Sequence, residues 1–147
     1  MDVKANTKSW RQSLGEAGEL MAAAYLENHG YKLLEKRFRA GRQGEIDLIV
    51  SKEASLVFVE VKTRLEAENE YSGQLAVDGE KQRKIARTAL FYLKTADKVR
   101  WQPRFDVILV SFSAGRASIG QLLEAGDRPA LQKLARIIHI EQAFASL

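Results

Sequence analysis

Cysteine is absent from the 147 residues of this chain. Without thiols it can form neither disulfides nor thiolate zinc sites, and it has no cysteine nucleophile. No apolar run approaches the roughly 18 residues that a membrane-spanning helix needs. Residues 1–16 contain no continuous apolar stretch that could serve as a secretory core. We therefore expect a protein of the reducing cytoplasm with no membrane segment.

Internal repeats, a phosphate-cradling glycine loop and a Gly-x-Ser-x-Gly elbow are also absent. The length fits a single domain over 1–147. The net charge of +4 is modest, but segments 32–42 and 81–104 hold 13 of the 23 basic residues. Each basic stretch has an ordinary explanation as a solvated face. Two of them flanking an acidic cluster fit a polyanion backbone better.

The apolar periodicity predicts an α/β domain whose elements follow the order α-β-β-β-α-β-(α)-β. This order predicts a mixed central β-sheet flanked by helices. Gly15 and Gly18 interrupt the first helix, and each marks either fraying or a close approach by another part of the backbone. The predicted elements are a helix over 10–29 ended by Gly30, strands over 31–38, 45–51 and 55–63, a helix over 80–96 capped by Asp78, a strand over 105–112, a helix starting near 127 and a strand over 137–141.

Three segments lack a clear pattern. Residues 1–9 are expected to be disordered, and the acidic, polar stretch 65–79 is expected to be a mobile loop. Segment 114–134 is divergent. Residues 117–135 have an ambiguous pattern, which fits a strand remnant followed by the helix that starts near 127.

Strand alternation gathers ionic side chains at one end of the hairpin formed by 45–51 and 55–63. On the second strand, Glu60 and Lys62 share a face, opposite a face of three valines. On the first strand, Asp47 lies opposite a face composed of Ile46, Leu48 and Val50. If the apolar faces match across the hairpin, Asp47 sits beside Glu60, and two carboxylates converge with one lysine.

Two explanations fit this cluster. A cross-strand salt bridge is common and contributes less than about 1 kcal/mol when exposed. However, two acids and one base on half-buried strands leave an excess of negative charge. A hard divalent cation such as Mg²⁺, which prefers oxygen ligands, would neutralise that excess.

The same residues carry a resemblance. The segments GEID and FVEVK resemble the signature of the PD-(D/E)XK nuclease superfamily, in which an Asp precedes Glu-x-Lys on the next strand. The chain as a whole resembles the YraN-like family of uncharacterised bacterial proteins, which is related to archaeal Holliday-junction resolvases. Segment 114–134 matches poorly. The matching segments are GEAGELMAAAYLENHGY, GEIDLIV, FVEVKTR, the AV and KQRK of AVDGEKQRK, ALFYL, RFDVILV and IIHIEQAF.

The resemblance implies a restriction-endonuclease-like core with a metal site. Asp47, Glu60 and the main-chain carbonyl of Val61 would hold Mg²⁺ or Mn²⁺. Glu19 of the first helix would assist through water or a second ion. By charge alone, Glu16 is an equally good candidate for that role.

The implied activity is hydrolysis of structured or branched DNA, with RNA as a further possibility. Asp47, Glu60 and Lys62 would be the catalytic residues, with Lys62 orienting the attacking water or offsetting charge in the transition state. Related resolvases are symmetric dimers, so a homodimer is possible by analogy. The alternatives are a nucleic-acid-binding module with the same fold but no cleavage, and an assembly partner for an acidic protein.

Five basic residues are candidate contacts to phosphate. Lys81 and Lys84 lie at the start of the helix over 80–96, where a cation opposes the helix dipole and so does not serve helix stability. Arg39 and Arg42 lie near the turn that enters the Asp47 strand. Arg64 follows the catalytic lysine, and it either contacts phosphate or simply ends the strand.

Other polar and aromatic residues have simpler explanations. Asp106 is expected to cap or pair locally rather than to bind metal. Trp10 and Trp101 either stack on bases or pack against the protein. His29 and His139 are too far apart in sequence to argue for zinc.

Overall fold

The structure, a computed structural model, describes residues 8–42, 44–68, 77–95 and 101–144. No helix among these residues is long and apolar enough to cross a membrane. The predictions for 1–7 and 69–76 lie outside the described residues. The elements are α1 (Trp10–Asn28), β1 (Lys32–Arg39), β2 (Glu45–Lys52), β3 (Ser55–Leu65), a 3₁₀ turn (Glu66–Glu68), α2 (Gly79–Thr95), β4 (Gln102–Phe112), α3 (Arg116–Ala125), α4 (Arg128–Leu134) and β5 (Ala135–Phe144).

The five strands form one mixed sheet in the order β1-β2-β3-β4-β5. β3 and β4 run parallel, and every other neighbouring pair is antiparallel. The predicted mixed sheet with flanking helices is thus confirmed. β4 begins at Gln102 rather than at Phe105, because Pro103 is tolerated near the start of a strand.

The sheet separates two hydrophobic cores. Helices α1, α3 and α4 cover one face, which we call the α1 face, and α2 covers the other, the α2 face. Leu26, Val59 and Ile119 are buried in the α1-face core. Trp10 packs against that core and Trp101 against the core of the α2 face, as the packed alternative predicts.

Helix α1 follows the prediction closely. Ser9 caps it by accepting a hydrogen bond from the main-chain N–H of Gln12, whose side chain in turn accepts from the N–H of Ser9. The helix ends before Gly30, which has a φ of +89° that few other residues adopt. These local signals explain why both ends of the helix were predictable.

The segment between β4 and β5 differs from the prediction. It contains two helices and no strand remnant. Ile119 is the one buried residue of α3. A single buried position gives no apolar repeat at helical spacing, so the sequence did not indicate this helix. The start of α4 was predicted correctly, because Asp127 accepts a hydrogen bond from the N–H of Ala130 and Pro129 lies in the first turn.

The two glycines in α1 have different surroundings. A Cβ built on Gly18 would overlap Oγ1 of Thr63 in β3, whereas a Cβ on Gly15 would have no heavy atom within 4 Å. The close approach is therefore real at Gly18, although a side chain rather than backbone makes it. It allows α1 to pack directly on β3.

We expect Gly18→Ala to lower the free energy of unfolding by about 1–3 kcal/mol, because the added methyl group overpacks the helix–sheet interface. The matched substitution Gly15→Ala should raise it by about 0.5–1 kcal/mol, since alanine is the better helix former. Urea unfolding of both variants measures the difference. Equal stabilisation by the two substitutions would contradict this packing.

Candidate functional site

The backbone ladder between β2 and β3 ends just before the predicted acidic pair. Its last paired residues are Leu48 and Val59, whereas β3 continues alongside β4. On the open edge of β3, the main-chain N–H of Val61 donates a hydrogen bond to Oδ2 of Asp47 over 2.8 Å. The carboxylate of Asp47 therefore accepts the hydrogen bond that a main-chain carbonyl of a paired strand would otherwise accept. This contact lies next to Glu60 along β3.

The alternation of β2 changes at Asp47. Leu48 packs in the α1-face core as predicted, but Ile46 packs with Ile49 in the core of the α2 face. The prediction that Ile46 shares a face with Leu48 is wrong. Across from Asp47 on β1, Arg37 has a φ of +50°, so both strands change face at the same level. This irregularity lets Asp47 reach the edge of β3.

Glu60 is one of the residues that line an open cleft of about 450 Å³. Its residue exposure is only 7%. Its Oε2 atom accepts a hydrogen bond from Nζ of Lys81 over 2.5 Å. Lys62 and Glu19 line the same cleft, so residues of the central strand β3, of α1 and of α2 meet here at one end of the sheet.

The surroundings of the site perturb the protonation of Asp47 and Lys62. Burial raises the pKa of Asp47 to about 8, with a further contribution from the nearby charge of Glu60. Burial lowers the pKa of Lys62, although Glu60 opposes that change. Perturbed pKa values in a cleft are typical of functional sites.

Of the two candidate glutamates in α1, Glu19 is the one that faces the cleft. Its Oε1 accepts a hydrogen bond from Nε of Arg37 over 2.9 Å, whereas Glu16 pairs with Lys8 over 2.7 Å. Within the part of the chain that the structure describes, no three His, Cys, Asp or Glu side chains form a group that could hold a metal ion. The acidic ligands that the open edge itself offers are Asp47 and Glu60.

Lys81 and Lys84 have different surroundings, although both lie near the start of α2. The N–H of Lys81 donates to Oδ1 of Asp78, as expected if Asp78 caps the helix. The ammonium group of Lys81 contacts Glu60, whereas Lys84 is exposed beside Gly44. Lys81 therefore belongs to the acidic site, a role that the sequence did not indicate because it depends on where α2 docks.

The three candidate arginines are spread around the same end of the sheet. Nε of Arg39 donates to Glu45 over 2.9 Å, and Arg42 is exposed in the β1–β2 turn. Arg64 is half-buried, lines the cleft and donates from Nη1 to the carbonyl of Thr63. Of the three, Arg64 is the one that lines the cleft.

Asp106 forms a separate buried network that does not line the cleft. It is fully buried and accepts hydrogen bonds from Arg104, from Nε2 of His139 and from the N–H of Gln142. Burial alone raises the pKa of Asp106, but the bonds from His139 and Arg104 outweigh it, so that this pKa lies below its ordinary value. Local pairing was expected for Asp106. The partner His139, from β5, was missed because no short-range pattern links the two residues.

Comparison with known proteins places this chain in a family. The model of Uncharacterised protein family UPF0102 matches residues 18–110. The chain belongs to this family. The matched range contains Glu19, Asp47, Glu60 and Lys62, and the predicted YraN-like membership is confirmed.

Curated relatives agree with this assignment. A UPF0102 protein of Geobacter metallireducens is 44% identical over 115 residues, which are 78% of this chain and 92% of the relative. One of Syntrophus aciditrophicus is 48% identical over 98 residues, covering 66% and 75% of the two chains. One of Caldanaerobacter subterraneus subsp. tengcongensis is 44% identical over 100 residues, covering 68% and 80%. Their names assign no activity, so the chemistry has to be argued from the site.

The pKa of Asp47 predicts how stability depends on pH. In the unfolded chain Asp47 ionises near its ordinary value of 3.8, but in the folded protein it keeps its proton up to about pH 8. Between pH 3.8 and about pH 8 the folded state therefore binds more protons than the unfolded state. The free energy of unfolding should fall as pH rises through this range.

Asp47→Asn removes this titration. The free energy of unfolding of the variant minus that of wild type should be at least about 1 kcal/mol larger at pH 8 than at pH 5. EDTA is present throughout. Chemical unfolding at both pH values measures the gain, and the exposed substitution Glu124→Gln serves as the control. Parallel stability profiles of wild type and Asp47→Asn would show that the carboxyl group is not perturbed.

Proposed function

We propose that this protein is a Mg²⁺- or Mn²⁺-dependent nuclease that hydrolyses phosphodiester bonds in structured or branched DNA. The observation that carries the proposal is the pair Asp47 and Glu60 at the open edge of β3, where Asp47 binds the N–H of Val61 and Glu60 lines the cleft together with Lys62. This is the arrangement that the PD-(D/E)XK resemblance implies.

The residues at this edge fit a hard cation. Mg²⁺ in phosphoryl-transfer sites is commonly bound by one or two carboxylates, several waters and the substrate phosphate. Asp47 and Glu60 supply the two carboxylates. Within a strand the N–H and carbonyl of one residue point to the same edge, so the carbonyl of Val61, whose N–H binds Asp47, is available as a third oxygen. The contact between Glu60 and the Lys81 ammonium group supports a preference for positive charge at this point.

Bound at these oxygens, the ion would lower the pKa of a water molecule and polarise the scissile phosphodiester. Lys62 is half-buried beside Glu60, where its charge can offset negative charge that develops on the phosphate or can orient the attacking water. Glu19, held by Arg37, places a further carboxylate in the same cleft to accept a hydrogen bond from water.

The basic residues around this end of the sheet support nucleic acid as the substrate. Arg64 lines the cleft, and Arg42 and Lys84 are exposed. Such side chains contact phosphates without reading bases. Specificity for branched or structured DNA would then come from shape, and RNA is a substrate to test beside DNA.

A second candidate function is a nucleic-acid-binding module that does not cleave. The ion pair between Lys81 and Glu60 favours it, because an internal cation already neutralises part of the acidic pair. In either case we propose a cytoplasmic protein, and a homodimer remains a prediction from the resemblance. An assembly partner for an acidic protein would show no affinity for nucleic acid.

A cleavage panel tests the proposal. Duplex, flap, four-way junction and single-stranded DNA, with matched RNA, are incubated with Mg²⁺ or Mn²⁺ and wild-type protein. We expect cleavage of at least one branched DNA, and a loss of at least about 100-fold in Asp47→Asn and Lys62→Met, as for removal of one charge-stabilising group elsewhere.

Glu124→Gln in α3 is the matched control and should cleave like wild type. Cleavage that persists in Asp47→Asn from clean preparations would contradict the site assignment. Absence of cleavage across the panel, with binding intact, would favour the binding module.

A further inference from the structure

A second cavity adjoins the cleft. Its volume is about 280 Å³, and Arg11, Leu14, Thr63 and Arg64 line both cavities. The second cavity is therefore a continuation of the cleft along the end of the sheet, toward the starts of α1 and α3.

Three arginines line this second cavity. Arg11 comes from α1, Arg64 from β3 and Arg116 from α3, and together with Trp10 we call them the arginine pocket. Glu68 is the one acidic residue in the lining. Among the described residues, no salt bridge pairs any of the three guanidinium groups with a carboxylate. The pocket thus carries a net positive charge that the folded chain leaves largely uncompensated.

Two of the three guanidinium groups are held in place. Arg64 donates a hydrogen bond from Nη1 to the carbonyl of Thr63. The guanidinium carbon of Arg116 lies 5.0 Å from the ring centre of Trp10, and that ring packs against the α1-face core. A base cannot stack on the ring face that Arg116 covers. The tryptophan therefore supports an arginine rather than a base.

Helix stability does not explain these positions. Arg11 and Arg116 lie in the first turns of α1 and α3, and neither first turn contains an acidic residue. A cation in the first turn opposes the helix dipole. Like charges gathered at one cavity are also unfavourable, unless an anion joins them. Planar guanidinium groups are suited to a phosphate, which accepts two parallel hydrogen bonds.

We propose that the arginine pocket binds a backbone phosphate of the nucleic-acid strand that occupies the cleft, next to the phosphate that is cleaved. This inference rests on the proposed function, and it adds a positioning site separate from the acidic pair. Trp10, Arg11 and Arg116 lie outside the residues 18–110 that the family model matches, whereas Arg64 lies inside them.

The test is binding of a fluorescent four-way DNA junction in EDTA, where no cleavage occurs, over a series of salt concentrations. The variant is Arg11→Gln with Arg116→Gln, both at exposed positions. The control is Arg128→Gln with Lys133→Gln in α4, which removes the same charge from exposed residues that line neither the cleft nor the arginine pocket.

We expect the pocket variant to bind about 10-fold more weakly and its plot of log Kd against log salt to lose about one unit of slope, since one phosphate contact is removed. The control should keep the wild-type slope. Melting temperatures verify that both variants are folded.

An unchanged slope in the pocket variant, or an equal change in the control, would overturn the proposal while leaving the nuclease assignment intact if wild type cleaves. Failure of wild type to bind any nucleic acid would overturn both. Inorganic phosphate at matched ionic strength should not displace the junction. Displacement would show that the pocket recognises a free anion instead of a strand.

Discussion

The ladder between β2 and β3 stops at Leu48 and Val59, and the candidate site depends on that stop. Beyond it, β3 is still held on one side by β4, so its backbone stays extended while its other edge is open. The N–H of Val61 needs an acceptor there, and the carboxylate of Asp47 provides it. Because Asp47 accepts this hydrogen bond from Val61, its carboxylate lies next to that of Glu60.

Two adjacent, largely buried carboxyl groups cannot both be ionised unless a cation lies beside them. Otherwise one of them keeps its proton. The structure uses two forms of compensation. A proton is retained by Asp47, whose pKa burial raises to about 8, and the ammonium group of Lys81 contacts Glu60. A divalent ion would be a third form of compensation, in place of the proton on Asp47 and of the ammonium group of Lys81. We propose that the strand geometry that brings these two carboxyl groups together also favours a divalent cation beside them.

The sequence predicted the parts of this site that follow from short-range periodicity. Two strands joined by a short turn put Asp47 at the level of Glu60. Its hydrogen bond with Val61 also depends on the break in alternation at Asp47, which the sequence did not indicate. Charge alone could not decide between Glu19 and Glu16, although the resemblance named Glu19, because the choice depends on the rotation of α1 against the sheet, which Gly18 and Thr63 set. The role of Lys81 was missed for the same reason, since α2 follows a long polar segment.

Other misses have equally specific causes. The misplaced Ile46 reflects a break in strand alternation that occurs opposite Arg37, and a pattern with a period of two cannot reveal such a break. Helix α3 escaped detection because it buries only Ile119. The partnership of Asp106 with His139 joins neighbouring strands that are separated in sequence by two helices. In each case tertiary contact, not local preference, decides the outcome.

The most direct test of the central claim is calorimetric titration of the protein with Mn²⁺ at pH 8, without nucleic acid. We expect saturable binding in wild type, abolished in Asp47→Asn and in Glu60→Gln, and tighter in Lys81→Met because the competing ammonium group is gone. Binding that is the same in wild type and Asp47→Asn would contradict it, as would the absence of any binding in both wild type and Lys81→Met.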